Sequence, residues 1–529
     1  MMFGASFGVI SQALEIYRKS LDIYNRNVLN ANNPDYVQED PLVESFAPAG
    51  INFREVKREQ NIYYLNLRNT KLSLVRYLEE RSNLLANVEG IFQELLDGTG
   101  INDYANRFFK AYLDLMKDPT NQGAKNELVT SAKALSGFLN EKVKDIDRLN
   151  QSTDYTLDDA VSRANELIRK LYILNKDITV GYAQTYARGR DYKNLLDTRD
   201  KYLRELSELI NVNIQEDDIG RVKLTTSKGF ALLDYTDSYW QLEYAGGRLL
   251  WRSKSSPPVD ITDVVESGKI KALLDAREDL SRFKEELNDI AKYLISTVKI
   301  PRENSNSWFL IQNVDNPTLA LSNYGLDGNL DFYDNSTSPP TLISSITNYG
   351  SLSLNDLANA INTDPALSGV GISATVVNNP DGTYTLRIDV PLGSYSITDS
   401  GNNFFESSPV FVGNDASDIS PVSTLDSDLD DLDYALTDNF SDFANGWWQS
   451  TKGYVNTLIS DISDTQADVK DKLRIEDALL QSLDRRLQEM QGVSIDREFM
   501  EIMKVRRTYE AVAKIVSTID ELIQTTLNM

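Results

Sequence analysis

Phe3, Phe7, Ile10, Leu14, Tyr17, Leu21, Tyr24, Val28 and Ala31 follow one another at alternating steps of four and three residues. On an α-helix this spacing is a heptad seam, a single apolar stripe that a second helix must cover. The other end of the chain carries the same pattern. Ile495, Phe499 and Ile502 step by four and three, and after one shortened step Val505, Tyr509, Val512, Val516, Ile519 and Ile523 alternate again. A chain with a coiled-coil stripe at each extremity is expected to bring its ends together, with everything else inserted between them. The first rod, Phe3 to Ala31, would measure roughly 42 Å at 1.5 Å per residue. It stops in a cluster of carboxamides, Asn27, Asn30, Asn32 and Asn33, where Pro34 pushes Asn33 out of the α region.

Between the seams the hydrophobic period changes several times. Residues 37–60 carry Pro41, Pro48 and Gly50 and read as a connector with one short strand. From Tyr63 to Ile210 the pattern is helical: one helix near 63–96, a second near 101–117 after Asp97-Gly98-Thr99-Gly100, then long helices to about 152 and from 156 to 210. Period two marks β-hairpins at 212–226 and 239–252. A helix returns over 268–297, and the form LLDxR followed by an acid occurs twice, at Leu195–Asp200 and Leu273–Glu278. From Pro301 to about Leu425 the composition shifts to Ser, Thr, Asn, Gly and Pro around short strands, with one helix at "LNDLANAINTDP". Past the acidic stretch Asp426–Asp433, helix resumes to Gln491 and breaks at Gly492.

The fold class that follows is mainly α with β insertions. A terminal α-helical coiled-coil domain is expected from 1–36 and 494–529. A long-helix bundle or rod domain is expected from 37–300 and 426–493, with a β-hairpin insertion at about 211–260, and a strand-rich outer domain from 301–425.

Composition removes most chemistry. With no cysteine and no histidine, the chain has no thiolate nucleophile, disulfide, imidazole base or common zinc ligand. Fifty-four basic against 79 acidic residues give a net charge of −25, which repels a nucleic-acid backbone. Asp327-Gly328-Asn329-Leu330-Asp331 opens like a calcium loop, but Phe332 and Ser338 stand where glycine and a bidentate glutamate are needed, so a β-turn accounts for it and no metal is expected. Gly369-Val370-Gly371 follows a helix and precedes a strand, the reverse of a nucleotide-binding turn, so no cofactor is expected. Paired carboxylates could serve a carbohydrate-active enzyme with a β-rich module, but no two acids single themselves out, and the reading is of a chain that is not an enzyme. The N-terminal stripe mixes Glu15, Arg18, Lys19, Asp22 and Arg26 on its polar face, favouring a partner helix over a membrane surface, and the first residues match neither a secretory signal nor a membrane span.

The stretch Asn27-Val28-Leu29-Asn30-Ala31-Asn32-Asn33-Pro34-Asp35-Tyr36 resembles the Asn-rich signature that ends the N-terminal helix of bacterial flagellar axial proteins, with Asn33 and Asp35 in place of the usual hydroxyl residue and glycine. "SIDREFMEIMKVRRTYEAVAKIVSTIDELIQTTLNM" is similar to their C-terminal helix, and the segments around the two LLDxR motifs resemble the interior of the hook-associated members. The resemblance implies a structural component at the junction of hook and filament, exported through the flagellar type III system and located in the extracellular flagellum. It implies polymerisation through paired terminal helices, with Phe7, Ile10, Leu14, Tyr17, Leu21, Tyr24, Val28, Phe499, Ile502, Val505, Tyr509, Val512, Val516, Ile519 and Ile523 as the assembly seam. Asn27, Asn30, Asn32, Asn33 and Tyr36 would be the signature residues. Implied partners are other copies in a ring, the hook protein, a second junction protein or the filament, and a cytoplasmic export chaperone at the C-terminal region. Another axial protein, such as a hook protein or a divergent flagellin, shares the terminal motifs.

Overall fold

In the computed structural model the described residues are 2–33, 36–46, 50–58, 60–92, 100–188, 192–235, 238–253, 256–302, 307–310, 313–378, 382–391, 395–401, 403–433 and 436–527. The chain opens with α1 (Met2–Leu29), the hairpin β1 (Glu39–Phe46) and β2 (Gly50–Arg58), then α2 (Ile62–Phe92), α3 (Ile101–Lys117), α4 (Gln122–Arg188) and α5 (Lys193–Leu209). Strands β3 (Asn213–Glu216), β4 (Val222–Thr225), β5 (Ala231–Leu233), β6 (Gln241–Ala245), β7 (Arg248–Arg252) and β8 (Val259–Asp260) lead to α6 (Lys269–Thr297). Next come β9 (Lys299–Pro301), β10 (Ser307–Leu310), β11 (Leu330–Asp334) and β12 (Thr341–Ile346), then α7 (Leu354–Thr363) and α8 (Pro365–Gly369). Six further strands follow: β13 (Ser373–Asn378), β14 (Tyr384–Asp389), β15 (Tyr395–Asp399), β16 (Phe404–Pro409), β17 (Phe411–Val412) and β18 (Ser420–Pro421). The chain closes with α9 (Leu425–Asp428), α10 (Thr437–Gln491) and α11 (Ile495–Leu527). It is mainly helical, with long helices at both termini and several small antiparallel sheets in the middle.

Three sequence-based expectations change. The single helix expected from 156 to 210 is two, α4 ending at Arg188 and α5 starting at Lys193 with Tyr192 as its non-helical cap. The interruption expected near 152–156 is absent, and α4 runs unbroken through Ser152-Thr153-Asp154-Tyr155-Thr156. Those are weak helix formers, but Ile146, Thr153, Leu157, Ala160 and Ala164 keep one buried stripe in register, and packing overrides local preference. The connector at 37–60 holds two paired strands instead of one, in register from Glu39↔Arg58 to Phe46↔Gly50 with an irregularity at Leu42/Val43.

The chain forms two compact units. The first comprises Met1–Asn83, Thr153–Ala276 and Asp468–Met529. Its sheets β3-β4-β5 and β6-β7-β8 lie against helices through an unusual contact. Asn175 of α4 donates to the Val222 carbonyl (2.8 Å) and accepts from its N–H (3.0 Å). Asn165, on the same helix, does the same with Leu242 at 2.7 and 2.8 Å. A helix carboxamide here replaces a neighbouring strand's peptide group and satisfies both backbone polar groups of one strand residue.

The second unit comprises Leu84–Ser152 and Arg277–Ala467. It holds a five-stranded sheet of order β13-β14-β10-β16-β9 and a three-stranded sheet of order β12-β11-β15, both antiparallel. Leu330, Phe332, Leu357, Ile361, Leu386 and Ile397 share one core between these sheets and α7. Ser353 caps α7 by accepting the Asp356 N–H, and Asp364 caps α8 ahead of Pro365. Asn362 repeats the carboxamide pairing, holding both backbone groups of Ala374 at 2.7 Å. In the 327–331 stretch, Asn329 accepts the Asn348 N–H and Asp331 accepts the Ser345 hydroxyl.

Lys299 is the costly residue of this unit. Its ammonium is buried, donates to the Ser296 (2.6 Å) and Thr297 (3.2 Å) carbonyls at the end of α6, and lies 4.2 Å from the Phe309 ring centroid. Burial, with Arg387 acting in the same sense, pulls its pKa from 10.5 to about 7. The unfolded chain therefore holds this proton across a window in which the folded chain has released it, so stability rises with pH between those two values. Lys299→Met is expected to flatten that rise; urea denaturation at about pH 7 and about pH 9.5 compares the two slopes, and an unchanged slope in the variant would refute the assignment.

Candidate functional site at the paired chain ends

The two terminal helices, α1 and α11, pack against each other within the first unit, and α1 also packs on β1 and β2. On α1, Tyr24 is buried and Ile10, Leu14, Tyr17, Leu21 and Val28 are half-buried; the side chain of Phe7 lies outside the described residues. On α11, Ile502, Val505, Tyr509, Val512, Val516 and Ile519 are half-buried, while Phe499 is 51% exposed and does not enter the seam; the Ile523 side chain lies outside the described residues. The most deeply buried face of α1 is a second stripe, Ile16, Ser20, Ile23 and Asn27, at the same four-three spacing one residue before the first. Two adjacent stripes suit a helix with two neighbours, a partner helix and a hairpin. Its polar members, Ser20 and Asn27, concealed it in the sequence.

Asn27 is the centre of the junction and is fully buried. Its Nδ2 donates to the Glu39 carbonyl (2.8 Å) and to Glu498 Oε2 (2.8 Å). Its Oδ1 accepts from the Glu39 N–H (3.1 Å) and the Tyr36 hydroxyl (2.8 Å). Two donors and two lone pairs are all that a carboxamide offers, and all four are used. Glu498 is the deepest of the described side chains of α11, 1% exposed, and its Oε1 accepts from Gln38 Nε2 at 3.0 Å. Burial raises the Glu498 carboxyl and the Asn27 hydrogen bond pulls it back. Burial also pushes the Tyr24 phenol to about 12, with Glu501, Asp40 and Glu498 adding to it, and raises Tyr36. Arg26 pairs with Glu39 at 2.9 Å, and the Gln38 N–H donates to the Gln491 carbonyl at 3.0 Å. One asparagine thus joins α1, the start of β1 and α11.

Asn30 has a different task. Its backbone N–H and its Nδ2 both donate to the Arg26 carbonyl, at 3.0 and 2.9 Å, satisfying an acceptor that the end of α1 leaves open. The chain then descends through single turns, Asn33 N–H to the Asn30 carbonyl and Tyr36 N–H to the Asn33 carbonyl. The side chains of Asn32 and Asn33 are exposed.

A charged cluster anchors the same end of the hairpin on its other strand. Arg58, at the end of β2, pairs with Asp197 and with Asp200 (3.2 Å). Arg199 is 1% exposed and bonds Asp200 (2.6 Å), Glu216 (2.9 Å) and the Gly220 carbonyl. Gly220 has φ +93°, and a Cβ there would stand 2.6 Å from Leu196 Cδ2 and 3.2 Å from the Arg199 guanidinium, so glycine is required. Burial pushes the Asp197 carboxyl up to about 6 against the pull of Arg58. The second LLDxR motif follows suit: Asp275 accepts from Tyr77 (2.8 Å) and Arg81 (3.2 Å) of α2. Sequence reasoning found the motif but not its partners, and it missed Gln38, Glu39 and Glu498, which carry no local signal.

Residues 85–299 match the family described as flagellar hook-associated protein FlgK helical domain, and residues 486–529 match flagellar basal body rod FlgEFG protein C-terminal. The chain is 22% identical over 245 residues to flagellar hook-associated protein 1 of Bacillus subtilis, covering 43% of this chain and 47% of that protein. It is 17% identical over 547 residues to flagellar hook-associated protein 1 of Salmonella typhimurium, covering 98% of each. Among solved structures, the flagellar hook junction protein FlgK from Burkholderia pseudomallei aligns over 69% of this chain and 66% of that one, with 15% identity and a TM-score of 0.43.

Asn27→Asp keeps the side chain's shape but removes both donors and sets a second carboxylate beside buried Glu498. The expected cost to the pairing of α1 and α11 is about 3 kcal/mol at neutral pH, smaller in acid. Hydrogen exchange of the two helices would register it as lost protection with the remaining helices unchanged; equal protection in parent and variant would remove Asn27 from this role.

Proposed function

We infer that this chain, which belongs to the family of flagellar hook-associated protein 1, is a structural subunit of the bacterial flagellum that forms the junction between hook and filament. The observation that supports this reading best is the pairing of α1 with α11 through Asn27 and Glu498, at the two ends where the axial-protein resemblance lies. The matches at 85–299 and 486–529 support it independently.

In this reading the subunit works by burial and catalyses no reaction. The pair α1–α11 leaves much of its apolar surface in solvent: Met500 and Met503 are 59% and 53% exposed and Leu522 is 61% exposed. Each such side chain contributes about 1.5–3 kcal/mol once desolvated, which neighbouring copies would supply. Contacts between different faces of identical subunits close into rings or continue as helices. The neighbours along the axis would be the hook protein on one side and a second junction protein or the filament on the other. Before assembly, an export chaperone would meet the C-terminal region, and the subunit would leave the cell through the flagellar type III channel. Among the described residues no helix is long and apolar enough to cross a membrane.

Combined Asn30→Ala, Asn32→Ala and Asn33→Ala is expected to leave the helical body folded, by circular dichroism, but to impair incorporation at the junction. The exposed carboxamides at the end of α1 would bridge to a neighbouring subunit in this reading; complementation of a deletion strain, scored as filaments attached to hooks, reads this out, and normal attachment would contradict that bridging role.

A further inference from the structure

Beside the Asn27 junction, wholly within the first unit, lies an open groove of about 790 Å³. This is within the size range of clefts that bury a drug-sized ligand, enough for a few residues of chain. Its lining combines buried apolar side chains, Val37, Leu203 and Leu487, with carboxamides, among them exposed Asn32 and buried Gln491. Gln491 is 6% exposed, yet its Nε2 has no acceptor among the described residues. A buried amide donor without an acceptor costs about 1–3 kcal/mol, which a ligand carbonyl would remove once the Gln491 side chain turned into the groove.

Three observations identify the ligand chemistry. First, carboxamides hold a strand residue by both of its backbone groups at four places in this chain: Asn27 on Glu39, Asn165 on Leu242, Asn175 on Val222 and Asn362 on Ala374. A rim of such groups suits an extended polypeptide, whose backbone alternates donors and acceptors. Second, the acids of the lining are compensated: Asp484 by Arg68, Asp200 and Glu216 by Arg199, and Glu489 by Arg486. On a chain of net charge −25, a charge-balanced face is where a second copy can approach without repulsion. Third, β1 and β2 form a sheet of only two strands, and among the described residues no further strand pairs with either. β1 is the poorer docking edge, because it contains Pro41, which has no N–H, and its Glu39 is held by Asn27; β2 has no proline and is tied to α5 through Arg58 at its end.

We propose that the groove receives the outer edge of β2 from a second copy of this chain, so that successive subunits are joined hairpin to groove. The contact uses two different faces and therefore propagates around a ring instead of closing a dimer. It rests on the junction reading above and specifies where one subunit grips the next.

The absence of cysteine makes a direct test possible. Asn52→Cys on exposed β2 and Gln488→Cys on the exposed groove rim are introduced together into the full-length chain, which is expressed in a deletion strain; isolated hook–filament junctions are then oxidised. A ladder of disulfide-linked multimers, absent from each single variant, is the expected result. Incorporation without a ladder, or linkage through one single variant alone, would overturn the proposal while leaving the junction reading intact. Absence of the parent chain from isolated junctions would overturn both. Gln491→Leu supplies a second measure: monomer thermal stability equal to or above the parent with a roughly tenfold loss of incorporation is expected. Normal incorporation of Gln491→Leu, or loss that follows an equal loss of monomer stability, would count against docking.

Discussion

A carboxamide carries the donor and acceptor of a peptide bond plus one further N–H, and at four places in this chain it lets a helix hold a strand. Asn27, Asn165, Asn175 and Asn362 each sit on a helix and each close two hydrogen bonds with a single strand residue. A small sheet has few strands to satisfy its edges, and unpaired backbone groups against a helix would be costly. The asparagine completes the ladder and fixes the strand's register on the helix. At Asn27 the remaining donor extends to α11, so that one side chain sets both the hairpin and the pairing of the chain ends.

Electrostatics supports this arrangement from beneath. Arg58 and Arg199 are nearly inaccessible, and neither is left with a bare charge: Asp197, Asp200 and Glu216 surround them. Removing one partner from such a cluster is far more harmful than the cluster is stabilising, so its members constrain one another. The cluster fastens the end of β2 to the start of α5, as Asn27 fastens the start of β1 to α1. The hairpin is therefore held at its base by two unrelated devices, which suits a strand pair too small to be stable alone.

Much of this was legible in the sequence where period or turn chemistry is strong. The helices carrying the stripes at 3–31 and 495–523, the helix at 101–117, the hairpins at 212–226 and 239–252 and the helix opening at Gly268 all depend on local pattern, and the elements α1, α11, α3, β3–β4, β6–β7 and α6 occupy those places. Where burial opposes local preference the pattern misled: Thr153 breaks no helix because it is a core residue of α4. The site was legible only in part. The carboxamide cluster marked the end of α1, but Asn27 differs from Asn32 only in its surroundings, and a partner 471 residues away leaves no trace near it. Polar residues inside a buried stripe, such as Ser20 and Asn27, are invisible to a search for apolar periodicity.

The two ends of each subunit are joined to each other, through Asn27 and Glu498, before they are joined to anything else. Electron cryomicroscopy of the intact hook–filament junction tests it most directly. The predicted map shows α1 and α11 of one subunit side by side, with the Asn27 carboxamide within hydrogen-bond reach of Glu498 and the Phe499–Met503 surface covered by a neighbour. A map in which α1 pairs instead with the α11 of another subunit, or in which Asn27 and Glu498 stand apart, would contradict it.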